Sequence, residues 1–428
     1  MTDATPLPLI ERPLPGARVT WPARRAALAE LEVAGWPQKR QERWRYTDLE
    51  PLRRDDFATA PPPGDAERRA AGALLARAAG TAPRLAFVDG HFCSELSSVL
   101  PAGLEALDLD ARWSEFEGRW AGHVATKDHP LAALNTAFSQ HGLWLRVAPG
   151  CVVDAPVHVV HVGSSRERLA AQPRLVIEVG ERARITLIEQ IVDAGAGSGW
   201  LNSVVQLRQA AGSHVDLYRL QRHGERQAHT SLLTADLAAE AELTAGYVDL
   251  GSRLARNDVD ITLRERGARA ELFGLFVPGP GQHIDNHTTI VHAAPETRSD
   301  EAFRGVIGER GHGVFNGKVV VRPKAQRIDA RQSNDNLLLG EHCEIDTKPE
   351  LEIYADDVKC SHGSTVGELD ADQLFYLRAR GIDAADAREM LTSAFAASVL
   401  ERVRDAAFRQ SLLDLVTARL RTLAEEPT

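Results

Sequence analysis

The sequence predicts a mainly β protein. A β solenoid spans residues 141–368, between a mostly helical N-terminal domain (1–140) and a helical C-terminal domain (369–428). Three observations predict it. From Gly142, helical periodicity nearly vanishes for over two hundred residues, and short β-branched and leucine runs are broken by Gly, Ala and charged turns. Within that region the order small, polar, apolar, polar, apolar recurs at 183–187, 213–217, 241–245, 268–272, 311–315 and 343–347, with offsets of 30, 28, 27, 43 and 32 residues. A near-constant period built from strands alone is the mark of stacked β coils, each burying its apolar face on the next. On either side the pattern reverts to helix signals. The competing architecture is a β-sandwich with coincidentally spaced turns.

In chain order, the Pro-rich residues 1–17 read as a loose arm. WPARRAALAELEVA (21–34) reads as a helix, with Pro22 in the first turn and Leu28 and Leu31 at helical spacing, stopped by Gly35-Trp36-Pro37. QERWRYTDLEPL (41–52) is dense in aromatics and charges and reads as a docking surface for neighbouring elements, with Thr47-Asp48 starting a helix. APPPGD (60–65) is a linker before a short Ala/Arg helix. RLAFVDGHF (84–92) carries Asp89-Gly90 between apolar runs, a hairpin signal, and PLAALNTAFS (130–139) makes a helix. Inside the solenoid, the 43-residue offset is expected to hold a loop leaving the coil at 277–287. At the end, Asp370 caps one helix that Gly381 closes, Asp383 caps a second, and a third covers 408–423. This tail is expected to cover the open end of the last coil, to present an apolar stripe to a partner, or both.

Composition narrows the function. With 428 residues and 43% hydrophobic content the chain holds more than one core, and no apolar run approaches the ~18 residues of a membrane span. The acid- and proline-bearing N-terminus is unlike a secretory signal, so the expected setting is soluble and cytoplasmic. A net charge of −10 argues against a nucleic-acid binder. Four scattered cysteines without a CxxC exclude a disulfide scaffold and an intrachain zinc ribbon. The signatures of Walker A, GxGxxG, HExxH and GxSxG chemistry are absent.

The stretch LEIYADDVKCSHGSTVGEL (351–369) carries Cys360 and His362 two residues apart in a strand pattern, so both side chains face one side. Thiolate and imidazole suit soft and borderline metals, yet two ligands are half a coordination sphere. Spacing alone also describes a structural cysteine beside a surface histidine, and favours it. His283, Asp285 and His287, with His292 nearby, share a parity that suits a divalent metal or an ordinary group of surface histidines. Cys343 falls at the small-residue position of its repeat and reads as an inward hydrophobe, and His312 and His342 read as turn residues.

The motifs GVFNGKVVV (313–321), SNDNLLLGE (333–341), DTKPELEIYADDVKCSHGSTVGELD (346–370) and QLFYLRARGI (373–382) closely resemble the SufD family of the SUF iron–sulfur cluster assembly system. PGPGQHIDNHTTIVHAAPETRS (278–299) and WRYTDL (44–49) look like the same family. Where the paralogous SufB chains carry an acidic E-H-E-A-T pattern, this chain reads CSHGST. The resemblance implies a right-handed parallel β-helix between helical domains, with no enzymatic activity of its own. It implies pairing with SufB through the β-helices and binding of the ATPase SufC by the helical tail, at 373–382 (Leu374, Phe375, Leu377, Arg378) and through Phe395. It assigns the ligand role for iron or a nascent cluster to His362, with Cys360 the weaker candidate, and admits a reduced flavin in the assembled complex. The alternatives are a metal-free adaptor or homodimer, and a β-solenoid carbohydrate-active enzyme, whose convergent acids on adjacent coils are not found in the repeat.

Overall fold

The computed structural model describes residues 22–120, 129–139, 141–195 and 197–425, so the arm expected at 1–17 lies outside the described residues. The N-terminal part contains α1 (Pro22–Ala34), α2 (Glu50–Arg54), β1 (Ala58–Thr59), α3 (Asp65–Ala79), β2 (Arg84–Val88) and β3 (His91–Phe92). It continues with β4 (Leu104–Asp108), α4 (Trp113–Trp120) and α5 (Pro130–Phe138). The coils begin with β5 (Gly142–Val147), β6 (Val157–Gly163), β7 (Leu169–Ala171), β8 (Arg174–Val179), β9 (Arg184–Asp193) and β10 (Gly199–Gln209). Next come β11 (His214–Gln221), β12 (Gln227–Leu237), β13 (Glu242–Asp249), β14 (Leu254–Leu263), β15 (Arg269–Phe276) and β16 (His283–His292). They end with β17 (Arg298–Ile307), β18 (His312–Val321), β19 (Ile328–Leu338), β20 (Glu344–Ile353) and β21 (Val358–Gly367). The tail is α6 (Ala371–Ala379), α7 (Ala384–Leu400) and α8 (Ala406–Glu425).

The strands make a β solenoid of about eight turns. Each coil gives one strand to sheet A (in order β4, β5, β8, β10, β12, β14, β16, β18, β20) and one to sheet B (β3, β2, β6, β9, β11, β13, β15, β17, β19, β21). Successive coils pair in parallel, for example Arg269 with Arg298 and His283 with His312. One corner is a column of left-handed residues, Arg182, Gly212, Glu240, Gly267, Glu296 and Arg327. Each of the first five is followed by a small, fully buried residue: Ala183, Ser213, Ala241, Ala268 and Thr297. This is the repeat seen in the sequence, and it sets up sheet B.

Two expectations need correction. The fifth and sixth repeat copies, Gly311 and Cys343, precede β18 and β20 and so belong to sheet A. The 43-residue offset is therefore a change of sheet, and of the residues expected to leave the coil, 277–282 form a slightly longer corner and 283–287 already belong to strand β16. The tail does not close the open end. α7 and α8 lie along the outer face of sheet B, where Ala396, Val399, Leu400, Phe408, Leu412 and Val416 cover Tyr218, Leu220, Val248, Phe273 and Leu275. That flank offers a long apolar stripe, and burying it removes more apolar surface from water than capping two strands would.

The helix signals hold locally. Asp370 accepts from the backbone of Asp372 and Gln373, Asp383 from that of Ala385 and Asp386, and Gly381 closes α6 with φ +89°. Asp89 and Gly90, both at positive φ, turn the β2–β3 hairpin. Strands β2 and β4 extend the two sheets past the first coil, so that end is finished by short antiparallel pairings with β3 and β5. At the other end β20 and β21 are terminal.

Candidate functional site

The last coil is set by register. Lumen-facing Ala330, Gln332 and Asn334 on β19 are buried, and their rung partners on β21 are Cys360, His362 and Ser364. Opposite, on β20, Thr347, Pro349 and Leu351 pair with lumen-facing Phe315, Gly317 and Val319 of β18. Without a further coil, this inner surface is an open mouth. His362 is exposed there, and no described residue hydrogen-bonds its ring. Cys360 is half-buried beside Leu351, Ala355 and Val358 on a patch of Val319, Val321, Ala325, Ile328 and Ala330. Burial, then the charge of Asp329, raises its thiol pKa, so Cys360 stays protonated until something displaces the proton. The pair thus shares one face, as its spacing requires, with the imidazole accessible and the thiol partly withdrawn.

Behind His362 runs a polar column that sequence reasoning missed. Gln332 Nε2 donates to Glu301 Oε2 (2.7 Å), and Thr288 Oγ1 donates to Glu301 Oε1 (2.5 Å). Glu301 is buried, and desolvation pushes its pKa up to about 7. Gln332 Oε1 has no hydrogen-bond partner among the described residues. Deeper in the lumen, Glu189 accepts from Arg219 Nε (2.7 Å) and lies 3.1 Å from His161 Nε2, while Asn257 donates to Asp249 (2.8 Å) and Asn286 (3.0 Å). The available signal was parity: Ser299, Glu301 and Phe303 alternate as lumen residues.

The histidine group of β16 divides by parity. His292 faces the lumen and meets Thr297 (2.7 Å) and Ser299 (2.9 Å). His283, Asp285 and His287 face outward from sheet A, where the segment Trp44–Leu49 covers them. The buried guanidinium of Arg256 sits 2.6 Å from Asp285 and 3.8 Å from the centre of the Trp44 ring. It supplies the positive charge that a metal would otherwise bring to Asp285: burial alone would raise the pKa of that carboxyl, and the Arg256 charge, with help from His287, outweighs it and leaves the carboxylate ionised. Thr47 donates to Asp285 and lies 2.9 Å from His283 Nε2. Burial holds the His283 imidazole down to about 4. His312, which reads as an ordinary turn residue in the sequence, meets His283 at 3.0 Å, whereas exposed His342 pairs with Glu309 at 2.6 Å. Cys343 is half-buried, its thiol directed to the carbonyls of Ile307 (3.1 Å) and Gly308 (3.2 Å).

In the tail, α6 buries no residue completely: Leu374 and Leu377 are half-covered, while Phe375, Tyr376 and Arg378 are exposed, Phe375 at 74%. Phe395 turns toward sheet B, half-buried under the Arg304 guanidinium at 4.7 Å. Among the described residues no helix is long and apolar enough to cross a membrane.

The SufBD core domain of SUF-system FeS cluster assembly matches residues 161–395, and the SufBD N-terminal region matches residues 16–159. The chain is 30% identical to the iron–sulfur cluster assembly protein SufD of Escherichia coli, over 93% of each chain. It is also 30% identical to a SufBD family assembly protein of Synechocystis, over 90% of this chain and 87% of that one. With the assembly protein SufB of Bacillus subtilis it shares 27% identity over 68% of this chain and 64% of that one. Those names describe assembly proteins, and the solenoid between helical segments carries the matched core. The chain belongs to the SufBD family of SUF iron–sulfur cluster assembly proteins.

Proposed function

We propose that this chain is the SufD-type scaffold of a cytoplasmic SUF complex. In this reading its last coil pairs with a SufB-type subunit, and iron or a forming cluster is held between the two. The observation that carries it is the exposed imidazole of His362, unpartnered among the described residues, at the mouth of an unfinished solenoid. Terminal strands β20 and β21 offer unpaired backbone groups along both sheets, the kind of edge that a second sheet extends. A neutral imidazole binds ferrous iron and releases it more readily than thiolate, which suits cargo that must leave. Cys360 is the second, weaker ligand, because its thiol must first lose a proton. The remaining ligands come from the partner. The chain has a non-catalytic role, and ATP hydrolysis belongs to a SufC-type subunit docked on exposed Phe375, Tyr376 and Arg378 of α6, with Leu374 and Leu377 supporting that face and Phe395 anchoring α7 behind it.

The test is anaerobic co-purification of the chain with its SufB- and SufC-type partners, measuring iron and acid-labile sulfide for wild type and His362→Ala. At least a several-fold loss in the variant, with the complex intact, is expected. Equal loading would leave only a metal-free adaptor.

A further inference from the structure

A second group of metal-binding side chains lies on the opposite side of the sheet from the mouth. His312, Glu344 and Asp346 project from the outer face of sheet A on β18 and β20, with His312 and Glu344 on one rung. Their donor atoms all lie within 4.8 Å of one another: His312 Nε2 is 2.9 Å from Asp346 Oδ2 and 3.9 Å from Glu344 Oε1. An ion bonded at about 2.1 Å to each donor needs donors roughly 3 to 4.2 Å apart, so small side-chain movements suffice. Glu344 is mostly exposed and free to swing. Lys348, two residues along β20 from Asp346, is already held at 2.5 Å by both Glu42 and Glu350.

The second observation is what lies behind His312. Asp285, ionised beside Arg256, can only accept, so Thr47 spends its single hydroxyl proton on it. Thr47 oxygen therefore accepts from His283 Nε2, which leaves the lone pair of the neutral His283 ring on Nδ1. That lone pair lies 3.0 Å from His312 Nδ1 and takes its proton. His312 is thereby fixed with Nδ1 as donor and with Nε2 facing the Asp346 carboxylate at 2.9 Å, a position that a proton or a metal ion can fill. A ligand imidazole whose other nitrogen donates to a buried, oriented acceptor is the usual support of a metal-binding histidine. We infer that His312, Asp346 and Glu344 bind a divalent first-row transition ion through one nitrogen and two carboxylates, with solvent completing the shell. The ligand set suits Mn²⁺, Fe²⁺ or Zn²⁺ over a soft ion.

Co²⁺ is the probe, titrated into the full chain carrying Cys360→Ser and His362→Ala, so that the mouth cannot contribute and the outcome does not depend on the scaffold reading. One Co²⁺ per chain is expected, with weak visible bands and no thiolate charge-transfer absorption. Asp346→Asn or His312→Ala in that background should weaken binding at least tenfold. His283→Leu, which touches no ion, should weaken it about tenfold by releasing the His312 tautomer. Circular dichroism verifies the fold, and Glu344→Gln serves as a second ligand variant. Absence of binding, or binding that Asp346→Asn, Glu344→Gln and His312→Ala all leave within twofold, overturns the inference.

Discussion

Glu301 and His362 show how one ladder position takes opposite characters within two coils. Glu301, Gln332 and His362 occupy successive rungs of sheet B. With a coil beyond it, the carboxyl is desolvated and keeps its proton up to about pH 7. With none beyond it, the imidazole faces open space. Unfolded, Glu301 releases its proton near 4.3, so between about 4.3 and 7 the folded state binds the extra proton. Its folded pKa is raised, so the stability it contributes is complete below about pH 4 and is lost as pH rises through about 7. Within that window the loss approaches ~1.4 kcal/mol per pH unit. Glu301→Gln should abolish this dependence, so urea midpoints at pH 5 to 8 should converge with, then surpass, those of wild type as pH rises. Parallel profiles would show that the carboxyl is already ionised in the fold.

Among the elements, the tail divides into an anchor and a display. α7 and α8 are held by apolar burial, by the Tyr218–Phe408 stack at 6.0 Å and by Arg402 bridging Glu271 (3.0 Å) and Asp300 (2.5 Å). α6 is attached mainly through α7 and shows its aromatics to solvent. Phe408→Ala should therefore cost about 3–5 kcal/mol in chemical denaturation, as removal of a buried aromatic does. Phe375→Ala should change stability by less than about 0.5 kcal/mol and instead weaken capture of the ATPase partner in a pull-down. A similar stability loss in both variants would mean that α6 packs as tightly as the helices behind it.

For the molecule as a whole, the two ends of the solenoid differ. The first is finished by a hairpin and a short antiparallel strand, helices cover part of the flank of each sheet, and the last coil is left as the long unfinished edge. Ile353 and Val366, exposed at 40% and 49%, mark its rim. Ile353→Lys with Val366→Lys should leave the melting temperature within a degree or two, since neither side chain is buried. The same pair should weaken association with the SufB-type partner, or self-association of the chain alone, at least tenfold in sedimentation velocity. Undiminished association would place the interface on another surface.

The linear sequence was enough for much of this. Repeat spacing encoded the stacked coils because each corner demands a turn residue followed by a small one. Capping aspartates encoded the tail helices because a cap is a contact within three residues. The i, i+2 spacing of Cys360 and His362 encoded their common side because strand parity is local. Which corner a repeat belongs to, which flank the tail covers, and which charges meet were settled only in three dimensions. His312 and Asp346 are 34 residues apart, and His312 and His283 are 29 apart, on strands whose register no local pattern specifies. Arg256 reaches Trp44 only because the N-terminal segment folds back over sheet A. Contacts of that kind depend on burial summed over distant segments, and a residue's place in the chain does not carry that information.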